Sequence, residues 1–227
     1  LYAVTGTNGK TSVANFFYQI NQLNKISCAN IGTLGYYFKK SVKKSNLTTP
    51  DNLDILKFLN FIKKKKVNSA IIEASSHGLH QGRLSGLKFN SVVFTNFSRD
   101  HLDYHKSLKS YLNAKLILFK KNLKTNSSII CDNSIAKLIR NKVKKNSKFV
   151  IQSKNNPFKI LGSKPQGLKT KLKINYNNNI YNITVNLIGK FQIENLFHAI
   201  MLSVSSGISE NKIMNVLPKI KPVSYTH

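Results

Sequence analysis

The first half of the chain alternates short apolar runs with amphipathic stretches, the pattern of parallel strands joined by helical crossovers. Runs of strand length fall at Leu1–Thr5, Ser69–Ile72, Ser91–Thr95, Ser128–Ile130 and Phe149–Ile151. Between them, apolar residues recur at spacings of three and four. They predict helices over Lys10 to about Leu23, Asp51–Ile62, Leu108 to about Lys120, and Ile135–Val143. Thr49 as cap, Pro50 at the first helical position and Asp51 behind it mark the start of the second of these. From Lys169 to Asn186 the period becomes two: Lys171–Ile174 and Tyr181–Val185 flank Asn177-Asn178-Asn179 and predict a β-hairpin. Helices near Gln192–Ser205 and Glu210–Leu217 close the pattern, and no repeat or low-complexity linker interrupts it. The expected fold is one α/β domain with a mostly parallel sheet flanked by helices and a small antiparallel addition near its end.

Composition narrows the class. At 227 residues, with 41% hydrophobic and 10% aromatic side chains, the chain can bury a core and is not a disordered basic tail. No apolar run approaches the roughly 20 residues of a membrane-spanning helix. Cys28 and Cys131 are too few and too far apart for a disulfide framework or a zinc site, and read as buried or free thiols. Leu1–Val4 is strand-like, not a signal peptide, and the missing initiator Met points to a fragment or an excised domain.

The formal charge of +28 invites a nucleic-acid reading. Its make-up argues against one: 33 of the 36 basic residues are Lys and three are Arg, the residue favoured for bidentate contacts. Asn (28) and Ile (23) are abundant alongside, as a broad compositional bias would make them. Lys63–Lys66 follows an apolar helix stripe and reads as a solvated helix end, where cations complement the dipole.

Gly6-Thr7-Asn8-Gly9-Lys10-Thr11 lies between a predicted strand and a predicted helix, the context of a phosphate-binding loop. In that reading Lys10 reaches terminal phosphates and Thr11 offers a hydroxyl to Mg²⁺, although Val4 stands where the full Walker pattern wants a glycine. Only eight acids exist. Glu73 ends an apolar strand, and Asp100, His101 and Asp103 follow another, on the edge where ligands bind in open α/β sheets. Four of six His residues fall between His77 and His105. In the helix after Ser107, Leu108, Tyr111, Leu112, Leu116 and Phe119 form an apolar stripe, and Lys115 occupies the missing position. An inward Lys has a lowered pKa, and its neutral amine can contact phosphate or take up CO₂ as a carbamate. The alternative is a lysine that snorkels past the stripe to water.

Several stretches together resemble the Mur ligase family. They are Val4–Thr11, Leu47–Asp51, Glu73–Leu79 (Glu-Ala-Ser-Ser-His-Gly-Leu), Phe94–His105 (Phe-Thr-Asn-Phe-Ser-Arg-Asp-His-Leu-Asp-Tyr-His), Ala114-Lys115 and Gly189–Leu196. The phosphate loop is common to Mur ligases and folylpolyglutamate synthases. The Ser-Ser-His-Gly and Ser-Arg-Asp-His-Leu-Asp-Tyr-His runs are similar to the MurE type. Those ligases add the third peptide residue, diaminopimelate or lysine, to UDP-N-acetylmuramoyl-L-alanyl-D-glutamate in peptidoglycan synthesis.

The resemblance implies an ATP-dependent acid–amino acid ligase, cytoplasmic and monomeric, working through an acyl phosphate. ATP and Mg²⁺ are its implied cofactors. Its implied partners are a UDP-linked muramoyl-dipeptide and an amino acid, with neither nucleic acid nor membrane. Residues 1–221 correspond to the central ATP-binding domain, and 222–227 open a junction to a missing C-terminal domain. A missing N-terminal domain holds the UDP group. Ser224–His227 depart from the family's usual Pro-Val-x-Gly-Arg continuation. By resemblance Gly6, Thr7, Asn8, Gly9, Lys10, Thr11 and Ser12 bind ATP phosphates, and Asn195 lies near the adenine. Thr11, Glu73 and His101 hold Mg²⁺, and Lys115, as a carbamate, binds a second ion. Lys10, Lys115 and His101 form the catalytic set. Thr48, Thr49, Ser75, Gln81 and Arg83 contact the muramoyl-dipeptide. The runner-up is a related ligase, such as the Mur-like half of a cyanophycin synthetase or a folylpolyglutamate synthase. The rival of another class is a basic nucleic-acid-binding module.

Overall fold

The structure is a computed structural model that describes residues 1–39, 41–143, 147–151 and 158–223. Its first half runs β1 (Tyr2–Thr5), α1 (Lys10–Leu23), β2 (Cys28–Gly32), β3 (Gly35–Phe38), β4 (Ser41–Lys43), α2 (Asn52–Lys64), β5 (Ser69–Glu73) and α3 (Ser76–His80). Next come β6 (Phe89–Phe94), α4 (Leu102–His105), α5 (Leu108–Ile117), β7 (Leu123–Cys131), α6 (Asn133–Ile139) and β8 (Lys148–Ile151). It ends with β9 (Phe158–Gln166), β10 (Lys169–Tyr176), β11 (Asn179–Val185), α7 (Lys190–Ser205) and α8 (Glu210–Val216).

Eight strands form one sheet in the order β4-β3-β2-β5-β1-β6-β7-β8. The six from β2 to β8 pair in parallel, and β3 and β4 add an antiparallel edge. A sheet covered on both faces needs apolar residues at successive positions, because neighbours point to opposite sides. The central strands meet that need. Val4, Ile71, Val93 and Ile130 enter one core with α1, α7 and α8, while Ala3, Ile72, Val92 and Ile129 enter the other with Leu116 and Phe119. These paired apolar residues made the strands visible in the sequence.

The second sheet is antiparallel, in the order β11-β10-β9. The hairpin turn is Asn177-Asn178, both at positive φ (48° and 68°), as a two-residue type I′ turn requires. Leu172, Ile174, Ile183 and Val185 face inward onto the α1–α7 core, while Lys169, Lys171 and Lys173 face solvent. Cys28 and Cys131 are buried free thiols.

The structure changes four local expectations. Asp51, not Thr49, occupies the N-cap position of α2, with no side-chain capping bond, so Pro50 precedes the cap instead of opening the helix; the Thr49 hydroxyl donates to the Glu73 carbonyl at 2.7 Å. Helix α5 ends at Ile117 and widens into a π-helical turn over Leu118–Asn122. Leu108, first in its stripe, is 44% exposed at the helix end. The hairpin gains a third strand, β9. The Lys63–Lys66 run is exposed, as a solvated helix end should be, and Lys66 takes the left-handed position (φ 56°) of a Schellman cap, with the Val67 N–H donating to the Ile62 carbonyl. Of the expected junction, residues 224–227 lie outside the described residues.

Candidate active site

The chain leaves β1 at Thr5, turns through Gly6 (φ 147°) and Gly9 (φ 84°), and enters α1 at Lys10. Val4 is mid-strand, paired with Glu73 and Val93, so the turn starts two residues later than the full Walker spacing. Gly6 takes the first glycine's part: a Cβ there would collide with the Thr95 side chain. The loop is laced to the segment after β6. Thr7 N–H donates to the Asn96 carbonyl (3.0 Å) and Asn8 N–H to Asn96 Oδ1 (2.9 Å). Thr95 Oγ1 donates to the Asn8 carbonyl (2.6 Å), and Ser98 N–H to Thr7 Oγ1 (3.0 Å). Such lacing fixes the backbone before any ligand arrives.

At the start of α1 the N–H groups of Lys10, Thr11 and Ser12 have no intrahelical acceptor. Gly9 offers no side-chain cap, and the first turn holds no acid, so the positive end of the dipole is open to an anion. Asn195 of α7 packs against Gly9, where a Cβ would clash with it.

Two lysines converge on one carbonyl. Lys10 Nζ donates to Gly6 O (3.0 Å) and Thr7 O (2.8 Å), and Lys115 Nζ donates to the same Gly6 O (2.9 Å). Lys115 does not reach water: it is 1% exposed, with its nitrogen 4.4 Å from the centre of the Tyr111 ring. The Tyr111 hydroxyl in turn lies 3.3 Å from Thr7 Oγ1. Burial, reinforced by the neighbouring Lys10, lowers the Lys115 pKa to about 6. At neutral pH its amine is largely uncharged and nucleophilic. Burial also lowers the Lys10 pKa, although Glu73 and Asp100 oppose the shift.

Glu73, at the end of β5, is fully buried. Its Oε1 accepts from Thr33 N–H (3.0 Å), and its Oε2 from the hydroxyls of Thr11 (2.8 Å) and Thr33 (3.1 Å). Gly32 makes room for it, since a Cβ there would collide with the carboxylate. Burial raises the Glu73 pKa, with the three donors and Lys10 pulling the other way. Among the described residues no Lys, Arg or His makes an ion pair with it.

A cavity of about 300 Å³ opens beside these groups. Lys10, Lys115, Tyr111, Thr48, Ser75, His77, Gln81, Arg83 and His101 all line it. Thr11, Glu73 and Thr49 stand behind its wall, linked through Thr33 and Ser75. Arg83 is held ready: Nη1 donates to the Thr49 carbonyl (2.8 Å), Nη2 to Gln81, and Nε lies 3.5 Å from Asp51. His101, in the left-handed region (φ 51°), pairs with Asp100 at 3.4 Å and packs edge-on against His77 at 4.9 Å. His105 is buried beside Tyr111, and burial followed by repulsion from His77 lowers its pKa to about 4. Among the described residues no three His, Cys, Asp or Glu converge as a metal cluster.

The structure thus gathers Lys10, Lys115, His101, Thr48, Ser75, Gln81 and Arg83 at one cavity, with Thr11, Glu73 and Thr49 directly behind. Asn195 stands apart from them, at the glycine end of the loop. Sequence reasoning missed Thr33, Tyr111 as the support of Lys115, and the Thr95-Asn96-Ser98 lacing. For the last, the apolar strand ending in a run of hydroxyl and amide residues was the available signal.

This is an α/β protein with a preformed glycine-rich loop between β1 and α1, on the carboxyl edge of its sheet. Residues 4–203 match the Mur ligase middle domain. The UDP-N-acetylmuramoyl-L-alanyl-D-glutamate–2,6-diaminopimelate ligase of Rickettsia prowazekii (strain Madrid E) is 36% identical over 230 residues, 98% of this chain and 48% of that protein. The ligase of the same name from Zymomonas mobilis is 34% identical over 225 residues, 97% and 46% of the two chains. A solved structure of such a diaminopimelate ligase superposes with a TM-score of 0.87 at 28% identity, over 98% of this chain and 46% of that one. The chain belongs to the Mur ligase family, and it spans about half the length of the curated relatives it matches.

Proposed function

We propose that this chain is the central, ATP-binding part of a MurE-type ligase, which joins diaminopimelate, or lysine as the lesser alternative, to UDP-N-acetylmuramoyl-L-alanyl-D-glutamate. Residues 1–221 supply that domain. The observation that carries the reading is the shared cavity: the phosphate-loop lysine and the Arg83–Gln81–Ser75 group line one space. A phosphate donor and a carboxylate acceptor can therefore meet there. The names of the similar ligases favour diaminopimelate as the added residue.

ATP phosphates fit the uncapped start of α1, with Lys10 over the loop and Asn195 on its adenine side. Arg83 offers a planar fork to the acceptor carboxylate, with Thr48, Thr49, Ser75 and Gln81 around it. The acceptor carboxylate attacks the terminal phosphorus to give an acyl phosphate and ADP. The incoming amine then displaces phosphate to form the amide. Lys10 offsets charge that develops on the transferred group.

Thr11 and Glu73 fit Mg²⁺. Hydroxyl and carboxylate oxygens are its hard ligands, and a buried carboxylate with no ion-pair partner among the described residues would be completed by a cation. His101, on the cavity wall, would be a further ligand, and Lys115, if carbamylated, would hold a second ion. A magnesium ion held by these residues would supply charge neutralisation to the phosphate oxygens. Lys115 is suited to carbamylation because its amine is neutral at physiological pH.

The test is a ligation assay on the complete protein, with UDP-N-acetylmuramoyl-L-alanyl-D-glutamate, ATP and either amino acid. Amide formation with diaminopimelate supports the reading. Turnover only with a folate or cyanophycin acceptor refutes it.

A further inference from the structure

Thr33, in the turn between β2 and β3, touches three residues already placed in the site. Its backbone N–H donates to Glu73 Oε1 (3.0 Å), and its hydroxyl lies 3.1 Å from Glu73 Oε2. The same hydroxyl is 3.3 Å from Thr11 Oγ1 and 3.2 Å from Thr48 Oγ1. Thr48 lines the cavity, whereas Glu73 does not. Thr33 therefore joins the buried carboxylate to the acceptor side of the site.

A hydroxyl carries one proton. Thr33 donates to Glu73 or to Thr48 at any moment, never to both. With the carboxylate free, the charge-assisted bond to Glu73 is the stronger. A divalent cation on Glu73 and Thr11 withdraws electron density from that oxygen, and the Thr33 proton then turns to Thr48. Thr48, its acceptor side filled, is left with its own proton to direct into the cavity.

Resting on the reading of Thr11 and Glu73 as cation ligands, we propose that Thr33 is a positioning residue whose hydroxyl couples cation occupancy at Glu73 to the hydrogen-bonding state of Thr48. The coupling is reciprocal. Thr48 must therefore influence magnesium affinity, although among the described residues no hydrogen bond joins it to Glu73 or Thr11.

The experiment is calorimetric titration of the full chain with the non-hydrolysable analogue AMPPCP, once with Mg²⁺ and once with EDTA. It uses wild type, Thr33→Val, Thr48→Val and the double variant. Thr33→Val keeps the shape and the backbone N–H clamp on Glu73 while removing only the hydroxyl. Thr48→Val is expected to weaken magnesium-dependent binding roughly fivefold, at the lower end of typical coupling, and to leave the EDTA value unchanged. In the Thr33→Val background the same change should have no effect, and Thr33→Ser should restore it. A neutral Thr48→Val in the wild-type background overturns the proposal, as does an equal loss with and without the Thr33 hydroxyl. If Mg²⁺ does not tighten AMPPCP binding to wild type, the underlying reading of Thr11 and Glu73 fails instead.

Discussion

Replacing Lys115 by Met is expected to stabilise the chain at neutral pH, by an amount that shrinks as pH rises. The amine titrates at 10.5 when free and at about 6 in the folded chain, because folding strips its water. Between those values the unfolded chain binds one more proton than the folded one, so stability rises with pH by roughly 1.4 kcal/mol per unit. At pH 7 a lysine that folds neutral costs about 5 kcal/mol relative to a side chain that never ionises, and at pH 9 about 2 kcal/mol. Met matches the stem and loses the bond to Gly6 O, worth about 1 kcal/mol, while Lys10 still serves that carbonyl. The net gain is then about 4 kcal/mol at pH 7 and about 1 kcal/mol at pH 9. Urea unfolding of both proteins at pH 7, 8 and 9 measures it, in CO₂-free buffer so that no carbamate alters the charge. A gain independent of pH, or a Met variant less stable at pH 7, would show that Lys115 folds charged and refute the reasoning.

The other expectations concern single groups. Glu73→Gln should raise the melting temperature of the ligand-free chain by a few degrees near neutral pH, on the order of 1 kcal/mol. Burial raises the Glu73 pKa, so its carboxylate loses stability as pH climbs above the usual carboxylate range, and a Gln amide can satisfy the same Thr11 and Thr33 groups. A pH-independent difference would count against this. Gly32→Ala should destabilise by roughly 2–4 kcal/mol in urea unfolding, since the new methyl meets the Glu73 side chain. His198, buried and held to a pKa of about 4, should cost roughly 3 kcal/mol as pH falls from 6.5 to 4; His198→Leu should flatten that acid limb. Lys66→Gly should stabilise by roughly 1 kcal/mol by relieving a left-handed lysine in the α2 cap.

What could be read from the sequence was what repeats with a period. The parallel strands were visible because both faces are buried, so their apolar residues run together. Lys115 was visible because it interrupts a helical stripe, and burial confirms the inward direction. β2 was missed: Cys28-Ala29-Asn30-Ile31-Gly32 carries a buried Asn in mid-strand and closes on a glycine required by Glu73, a contact 41 residues away in sequence. β9 was missed because Gly162, Lys164 and Pro165 obscure its alternation, which its pairing with β10 supplies. The neighbours of Thr49 in sequence suggest a cap, yet its hydroxyl is committed to Glu73 and Ser75 across the fold. Thr33 carries no local signal, because its meaning lies in three oxygen contacts from distant segments.

The charges of the site point in one direction. Lys10 and Lys115 share a carbonyl oxygen, burial penalises both ammonium forms, and Glu73 is buried with no ion-pair partner among the described residues. None of these arrangements is the most stable use of its residue in the free chain, as the gains expected for Lys115→Met and Glu73→Gln express. In the proposed function, each would be completed by a different part of one ligand set: phosphate anions at Lys10 and the uncapped helix, a divalent cation at Glu73 and Thr11, and CO₂ at Lys115, where a carbamate would be an anion able to meet a second cation. Ligands that bind only the folded state add stability in proportion to the logarithm of their concentration over Kd. Magnesium nucleotide should therefore stabilise wild type more than either stabilised variant, so the substitutions that help the empty chain should be those that lose most of the ligand's effect.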